Sequence, residues 1–228
     1  DQSYMLNQFM EWSQDPDEHV RRLVSEGSRP LLPWGQKLPQ FSENPELTWP
    51  LLVALKNDTS KYVQKSVANH MNDLSKNNGD WLVQNLKNWP NPWVVKHATR
   101  TLIKKGHSGA LQLSGVSSVQ PQIIKITLNI KKIKLGDSLK GSLILKNPTK
   151  KNMTVVVDVC LDLLKSNGKY SKKVFKGKRI LLPPNSQLQT VLNTPLKKVT
   201  TRVYYKGHQY WSLMINGQNS PLQKFTLD

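Results

Sequence analysis

Two carboxylates, Glu26 and Asp73, are the residues of this chain best suited to chemistry; each lies on a stretch of helical period among cationic neighbours. Glu26 stands in "HVRRLVSEGSRPLLPW", His19 to Trp34, which reads as a helix that stops abruptly and runs into a stiff turn. A helix C-terminus carries partial negative charge, so an acid in its last turn is mildly unfavourable. Something other than helix stability is expected to keep it there. Asp73 stands in "YVQKSVANHMNDLSK". The plain reading of Glu26 is a local pair with Arg29 or Arg22, and that of Asp73 an i,i+3 pair with Lys76. The chemical reading is different. Two acids near a phosphate backbone repel it, and make sense there only if they face a cationic group or a developing cation.

Other chemistries find little support. His19, His70, His97, His107 and His208 show no metal-ligand spacing, and Cys160 is the single cysteine, so no metal site and no internal disulfide is expected. One cysteine suits a reducing compartment or indifference to redox. There is no phosphate loop of the Walker type, no GxGxxG, and no Ser-His-Asp spacing. No apolar run approaches the ~18 residues of a membrane span, and no signal peptide is evident.

The elements that must position the acids come in two kinds. Residues 1–112 have helical period. Asp15 is the expected N-cap of a first helix, with Pro16 at N1, Val20, Leu23 and Val24 as its apolar stripe, and Gly27 at C′. Further helices are expected over Pro45–Lys56, from Thr59 or Ser60 through Leu74, over Asp80–Trp89 and over Pro92–Lys105. "DEHVRRLVSE", "SKYVQKSVAN" and "PWVVKHATRT" align on Val20, Val63 and Val94, at spacings of 43 and 31 residues, which suggests HEAT-type repeats. At about 100° per residue from each valine, Glu26, Asn69 and Arg100 fall near 240°, with Arg22, Asp73, Trp93 and Lys104 beside them. Stacked helices would therefore present one stripe of two acids, Arg, Lys and a tryptophan. Taken singly, Arg22, Arg100 and Lys104 read as solvated charges, and Trp34, Trp89 and Trp93 as core.

Residues 113–121 read as a linker, with Gly115-Val116-Ser117-Ser118 at its centre. After it come alternating runs, "IIKITLNIKKI", "SLKGSLILKN", "MTVVVDVCLDLL", "KKVFKGKRILL", "SQLQTVLN", "TRVYY", "YWSLMING" and "LQKFTLD", separated by turn residues. Residues 122–228 are accordingly expected to form an antiparallel β-sandwich of immunoglobulin-like type, without the disulfide of antibody domains. The fold class is thus α plus β: HEAT-like helical repeats followed by the sandwich.

The charge is unevenly spread. Of the 228 residues, 33 are Lys or Arg and 15 Asp or Glu; residues 1–114 hold 13 basic and 11 acidic side chains, residues 115–228 hold 20 and 4. A half with that balance suits a polyanion, nucleic acid before others, because phosphate contacts release counterions. A basic solubility surface is the plainer alternative.

The two segments that carry the acids closely resemble the DNA alkylation repair glycosylases of the HEAT-like-repeat superfamily, in the AlkC branch. The resemblance covers about residues 1–110, and the sandwich fits the same branch by architecture. It implies removal of N-alkylated bases such as 3-methyladenine and 3-methylcytosine from double-stranded DNA, with no cofactor and no tight pocket for a flipped nucleotide. Such a base already carries positive charge and leaves readily, so a carboxylate that stabilises the oxocarbenium-like sugar and positions water would suffice. Carried over residue by residue, Glu26 in "SEGSRP" is the leading catalytic carboxylate and Asp73 in "ANHMND" the second. Trp34 in "LPW" would contact the lesion nucleotide, and Arg22, Arg29, Arg100 and Lys104 would hold phosphates. Asn69 and Trp93 join the DNA-binding stripe, and Lys131, Lys132 and Lys134 would extend the footprint onto the sandwich. The family's helical array is longer at its N-terminus and holds further active-site residues there, so this chain is expected to start inside the array, with an exposed apolar repeat face and activity in doubt. The resemblance also implies a monomer of the bacterial cytoplasm.

Two other readings stand beside the enzyme: a non-catalytic DNA-binding module and a protein-interaction scaffold. Turnover lost with DNA affinity kept in Glu26→Gln separates the first from the second. A steep fall of log K with log salt separates DNA binders from the third.

Overall fold

In chain order the helical half consists of α1 (Gln2–Trp12), α2 (Glu18–Gly27), α3 (Pro39–Glu43), a 3₁₀ turn (Pro45–Leu47), α4 (Trp49–Ala54), α5 (Lys61–Leu74), α6 (Gly79–Leu86), α7 (Pro92–Ala98), α8 (Arg100–Lys104) and α9 (Ser108–Leu113). The computed structural model describes residues 1–129, 131–200 and 202–228. These divide into two units, Asp1–Ser114 and Gly115–Asp228, each with its own apolar core.

Helix α2 is capped by Asp17, whose side chain accepts the His19 N–H at 2.8 Å. The cap expected at Asp15 therefore moves two residues on. Asp15 instead accepts the Asp17 N–H at 2.8 Å and closes the turn before the helix, which leaves Pro16 outside it. Gly27 is the last helical residue and not a left-handed C′; its value is space, since a Cβ there would stand 3.1 Å from the Phe9 ring. The apolar stripe of α2 is also narrower than expected. Val24 is fully buried, but Leu23 is 46% exposed.

Helix α5 begins at the expected cap, Ser60, whose hydroxyl accepts the Tyr62 N–H. It packs against both α2 and α7, so the three aligned segments are neighbours, with Val63 and Val94 in the core. Arg21 of α2 holds Asp58, just ahead of α5, through Nε at 2.6 Å, and this ties the first turn of α2 to the start of α5. Two expected helices are broken. Pro50 lacks the N–H to continue a helix from Pro45, so a 3₁₀ turn precedes α4. Thr99 stands between α7 and α8, its hydroxyl and its N–H both donating to the Val95 carbonyl, at 2.8 and 3.0 Å. The helix expected over Asp80–Trp89 is α6, which stops at Leu86. Beyond its end Trp89 packs on Trp49, which also meets Trp81, against the core.

The second unit carries β1 (Gln122–Leu128), β2 (Lys132–Ile133), β3 (Ser138–Lys146), β4 (Met153–Leu164), β5 (Tyr170–Leu182), β6 (Gln187–Pro195), β7 (Gly207–Ile215), β8 (Gln218–Asn219) and β9 (Gln223–Leu227). One sheet runs β1-β3-β6, and the other β2-β9-β7-β4-β5 with β8 on β7. Their inner faces share a core that joins Leu139, Leu143 and Leu145 of β3 to Val155, Val157 and Leu161 of β4 and to Trp211 of β7. Gly141 faces the Trp211 ring so closely that a Cβ would lie 2.3 Å from it. The sandwich is antiparallel except at its edge, where β2 pairs parallel with β9.

Two expected strands differ. "IIKITLNIKKI" divides into β1 and β2, with Ile130 outside the described residues, and "TRVYY" forms no strand. There Val203 and Tyr205 are exposed, Thr201 lies outside the described residues, and Arg202 makes one isolated bridge to Val199. The linker residues are not loose. Val116 is buried, and Ser117 exchanges hydrogen bonds with Thr154 of β4.

Candidate functional site

The last turn of α2, the loop after it and one face of α5 bring Glu26, Arg29 and Asp73 together. Arg29 Nη1 donates to Glu26 Oε1 at 2.8 Å, and Arg29 Nε donates to Asp73 Oδ2 at 2.9 Å. One guanidinium thus joins both carboxylates, across 44 positions of sequence on the Asp73 side. Its side chain is 8% exposed and Asp73's is 5% exposed, while Glu26 keeps 17%. The two short-range pairs expected from spacing are also made. Arg22 Nη2 lies 3.5 Å from Glu26 Oε2, and Lys76 Nζ lies 3.2 Å from Asp73 Oδ1.

Charge and burial compete at each group. Burial pushes the Glu26 carboxyl up, but the Ser66 hydroxyl and the Arg29 guanidinium outweigh it and hold its pKa below the ordinary value. For Arg29, burial disfavours the cation, and Asp73 and Glu26 more than restore it. Glu26 is therefore ionised at rest, against a buried cation that also holds Asp73.

Beneath it lies His70, fully buried. Its Nδ1 is 3.0 Å from the Ser25 carbonyl oxygen, which can only accept, so Nδ1 carries the proton. Nε2 then accepts from the Thr48 hydroxyl at 3.1 Å. Burial depresses the His70 pKa to about 4, so the ring is neutral at ordinary pH. It ties the end of α2 to α5 and to the residue before α4.

Around this centre the other expected residues scatter. Arg100 donates to Asn69 Oδ1 at 3.1 Å, which continues the α5 face onto α8; burial lowers its pKa against the pull of Asp73. Arg22 lies over the Tyr62 ring, 4.5 Å from its centroid. Trp93 is 42% exposed and stacks on His97 at 3.8 Å, and Lys104 is exposed. Arg29, read from sequence as a phosphate contact, has its donors turned inward onto the acids. Lys131, Lys132 and Lys134 belong to the other unit, where all three are exposed and Lys132 meets Asp228 at 3.5 Å.

Trp34 overturns the core reading of a tryptophan. It is 104% exposed, with a positive φ of 63°, at the tip of a loop closed by the Leu38 N–H to Pro30 carbonyl bond at 3.0 Å. A bulky residue in that region is strained, and such strain gathers at ligand-contacting sites. Ser66 and His70 were not singled out from sequence. Ser66 had a signal: it lies seven residues before Asp73, on the same face of α5. Among the described residues no cluster of three His, Cys, Asp or Glu could hold a metal, and no helix is long and apolar enough to cross a membrane.

Comparison with known proteins agrees with this architecture. Residues 122–228 match the model of the C-terminal Ig-like domain of YhaZ, described as an uncharacterised protein. YhaZ of Bacillus subtilis is 38% identical over 224 residues, which cover 96% of this chain and 62% of that protein. The alkylpurine DNA glycosylase AlkC of Pseudomonas fluorescens, solved bound to DNA containing an abasic site analog, superimposes with a TM-score of 0.89 at 37% identity, over 99% of this chain and 65% of that one. The chain thus spans a little under two thirds of the relatives it matches. That likeness runs through both units of the chain, in keeping with the resemblance of its helical half to the AlkC branch.

Proposed function

We propose that this protein acts on alkylated DNA as a glycosylase, hydrolysing the N-glycosidic bond of cationic bases such as 3-methyladenine and 3-methylcytosine. The observation that carries this reading is the 37% identity, at a TM-score of 0.89, to an alkylpurine DNA glycosylase caught on DNA. In the proposed reaction the bond from C1′ to the base nitrogen breaks and its electron pair neutralises the base. The base needs no protonation to leave. The positive charge passes to the sugar, where an ionised carboxylate lowers the barrier, and a water adds at C1′ and loses its proton.

Glu26 is the residue we assign to that carboxylate. Its depressed pKa keeps it anionic, and it is the more exposed of the two acids. Asp73 is the second, Trp34 the lesion contact, and Arg22, Asn69, Trp93, Arg100 and Lys104 the DNA-facing stripe. Lys131, Lys132 and Lys134 are the sandwich's share of the footprint, and no cofactor is invoked. Arg29 fits a different task from phosphate binding, that of holding both acids in place.

A second reading rests on one observation. Both acids are already paired to Arg29, as a purely structural cluster would be, and a non-catalytic DNA-binding module needs no more. Single-turnover release of 3-methyladenine and 3-methylcytosine from duplex DNA decides between them. It compares the 228-residue chain with its Glu26→Gln variant. We expect release to fall by about 10² or more in the variant with DNA affinity kept. No release by a folded, DNA-binding protein would leave the module reading in its place.

A further inference from the structure

Two buried serines stand behind Glu26, and neither the local pairs nor the stripe accounts for them. Ser66 Oγ of α5 donates to Glu26 Oε2 at 2.8 Å, and Ser25 Oγ of α2 lies 2.8 Å from Ser66 Oγ. Ser25 is fully buried and Ser66 is 2% exposed. The direction of the chain follows from its end. An ionised carboxylate has no hydrogen to give, so Ser66 must donate to it. Ser66 has one hydrogen, so Ser25 must in turn donate to Ser66. The Arg22 carbonyl, 3.1 Å from Ser25 Oγ, shares that hydrogen as the longer of the two contacts. The Ser66 hydroxyl dipole points at the carboxylate.

The geometry points to Ser66 as a positioning residue for Glu26, and this inference rests on the glycosylase reading above. Arg29 holds one oxygen of Glu26 from the same stretch of chain. Ser66 holds the other from a different helix, the one that also carries Asp73. Seven residues make nearly two whole turns, so Ser66 and Asp73 share one face of α5. The Ser66 bond thus sets the plane of the Glu26 carboxylate and its register against the second acid. His70 supports the arrangement from below by fixing the Ser25 carbonyl, so the serine that feeds the chain cannot drift. With one donor removed, the carboxylate would turn about its last torsion and titrate higher, while Arg29 and Arg22 still kept it in the site.

The test is a comparison of Ser66→Ala with Ser66→Thr, which keeps the hydroxyl. Titration of the Glu26 carboxyl carbon by NMR needs no activity. We expect its midpoint to rise by about one pH unit in Ser66→Ala and to stay near the parent value in Ser66→Thr. The acid limb of the pH profile of single-turnover base release should move by the same amount, with about tenfold slower release below it and little change in DNA affinity. Equal midpoints in all three proteins overturn the inference, even where Ser66→Ala melts earlier, because a merely structural serine would change stability and nothing else. A raised midpoint without base release by the parent protein overturns the glycosylase reading and leaves the Ser66 anchor standing. Should Ser66→Ala not fold, Ser66→Cys, a weaker donor of similar size, gives the same comparison with a smaller shift.

Discussion

Arg29 is the residue on which the candidate site turns. Removing it leaves two carboxylates buried or half-buried and near one another, with only the longer contacts to Arg22 and Lys76. Breaking a buried pair from one side is far more costly than replacing the pair, so Arg29→Ala should destabilise the helical unit by about 3–5 kcal/mol in urea titrations. Removing the acids as well, in Arg29→Ala with Glu26→Gln and Asp73→Asn, should recover much of that. Additive losses would show that the three do not act as a cluster. His70 gives a prediction in pH. Its folded pKa, about 4, lies below the ordinary 6.5, so the stability it contributes is whole above pH 6.5 and is lost as pH falls towards 4. The slope should reach at most about 1.4 kcal/mol per pH unit, and it should flatten over that window in His70→Asn.

At the scale of elements, what the sequence could reveal was what local rules encode. The start of α5 at Ser60 and the two i,i+3 pairs were legible because a cap and a spacing are written in neighbouring residues. Strand β3 was legible because its alternation follows the burial it acquires. Reach across the fold was not legible. Nothing near Arg29 announces that its Nε finds Asp73, and a buried histidine among helix contacts carries no chemical signature. "TRVYY" has β-branched and aromatic residues, yet among its described residues Arg202 makes just the isolated bridge to Val199, and propensity alone did not make it a strand. One element prediction follows from close approach. In Gly141→Ala the new methyl would enter the Trp211 ring, so β3 must move off β7's face, at a cost of about 1–3 kcal/mol or more read as a lower Tm of the sandwich.

For the whole molecule, two cores and two charge balances make two thermodynamic bodies from one chain. The helical core gathers round Leu52, Met71 and Leu82, and the sandwich core round Leu143, Val157 and Trp211. Each unit is near the length of an ordinary domain, and denaturation is expected in two steps. The sandwich unit contains one tryptophan, Trp211, at 0% exposure, whereas the other six lie in the helical unit. That makes the packing of Trp211 against Gly141 an optical label supplied by the fold. Its emission in the native state should be blue-shifted and deaf to soluble quenchers, and should change only when the sandwich opens. Trp211→Phe should delete one fluorescence transition while circular dichroism still records both. A single transition that survives that substitution would show instead that the two bodies melt as one. Trp34, bare to solvent at its loop tip, should answer to iodide from the start, so one spectrum contains a reporter for a core and a reporter for a surface.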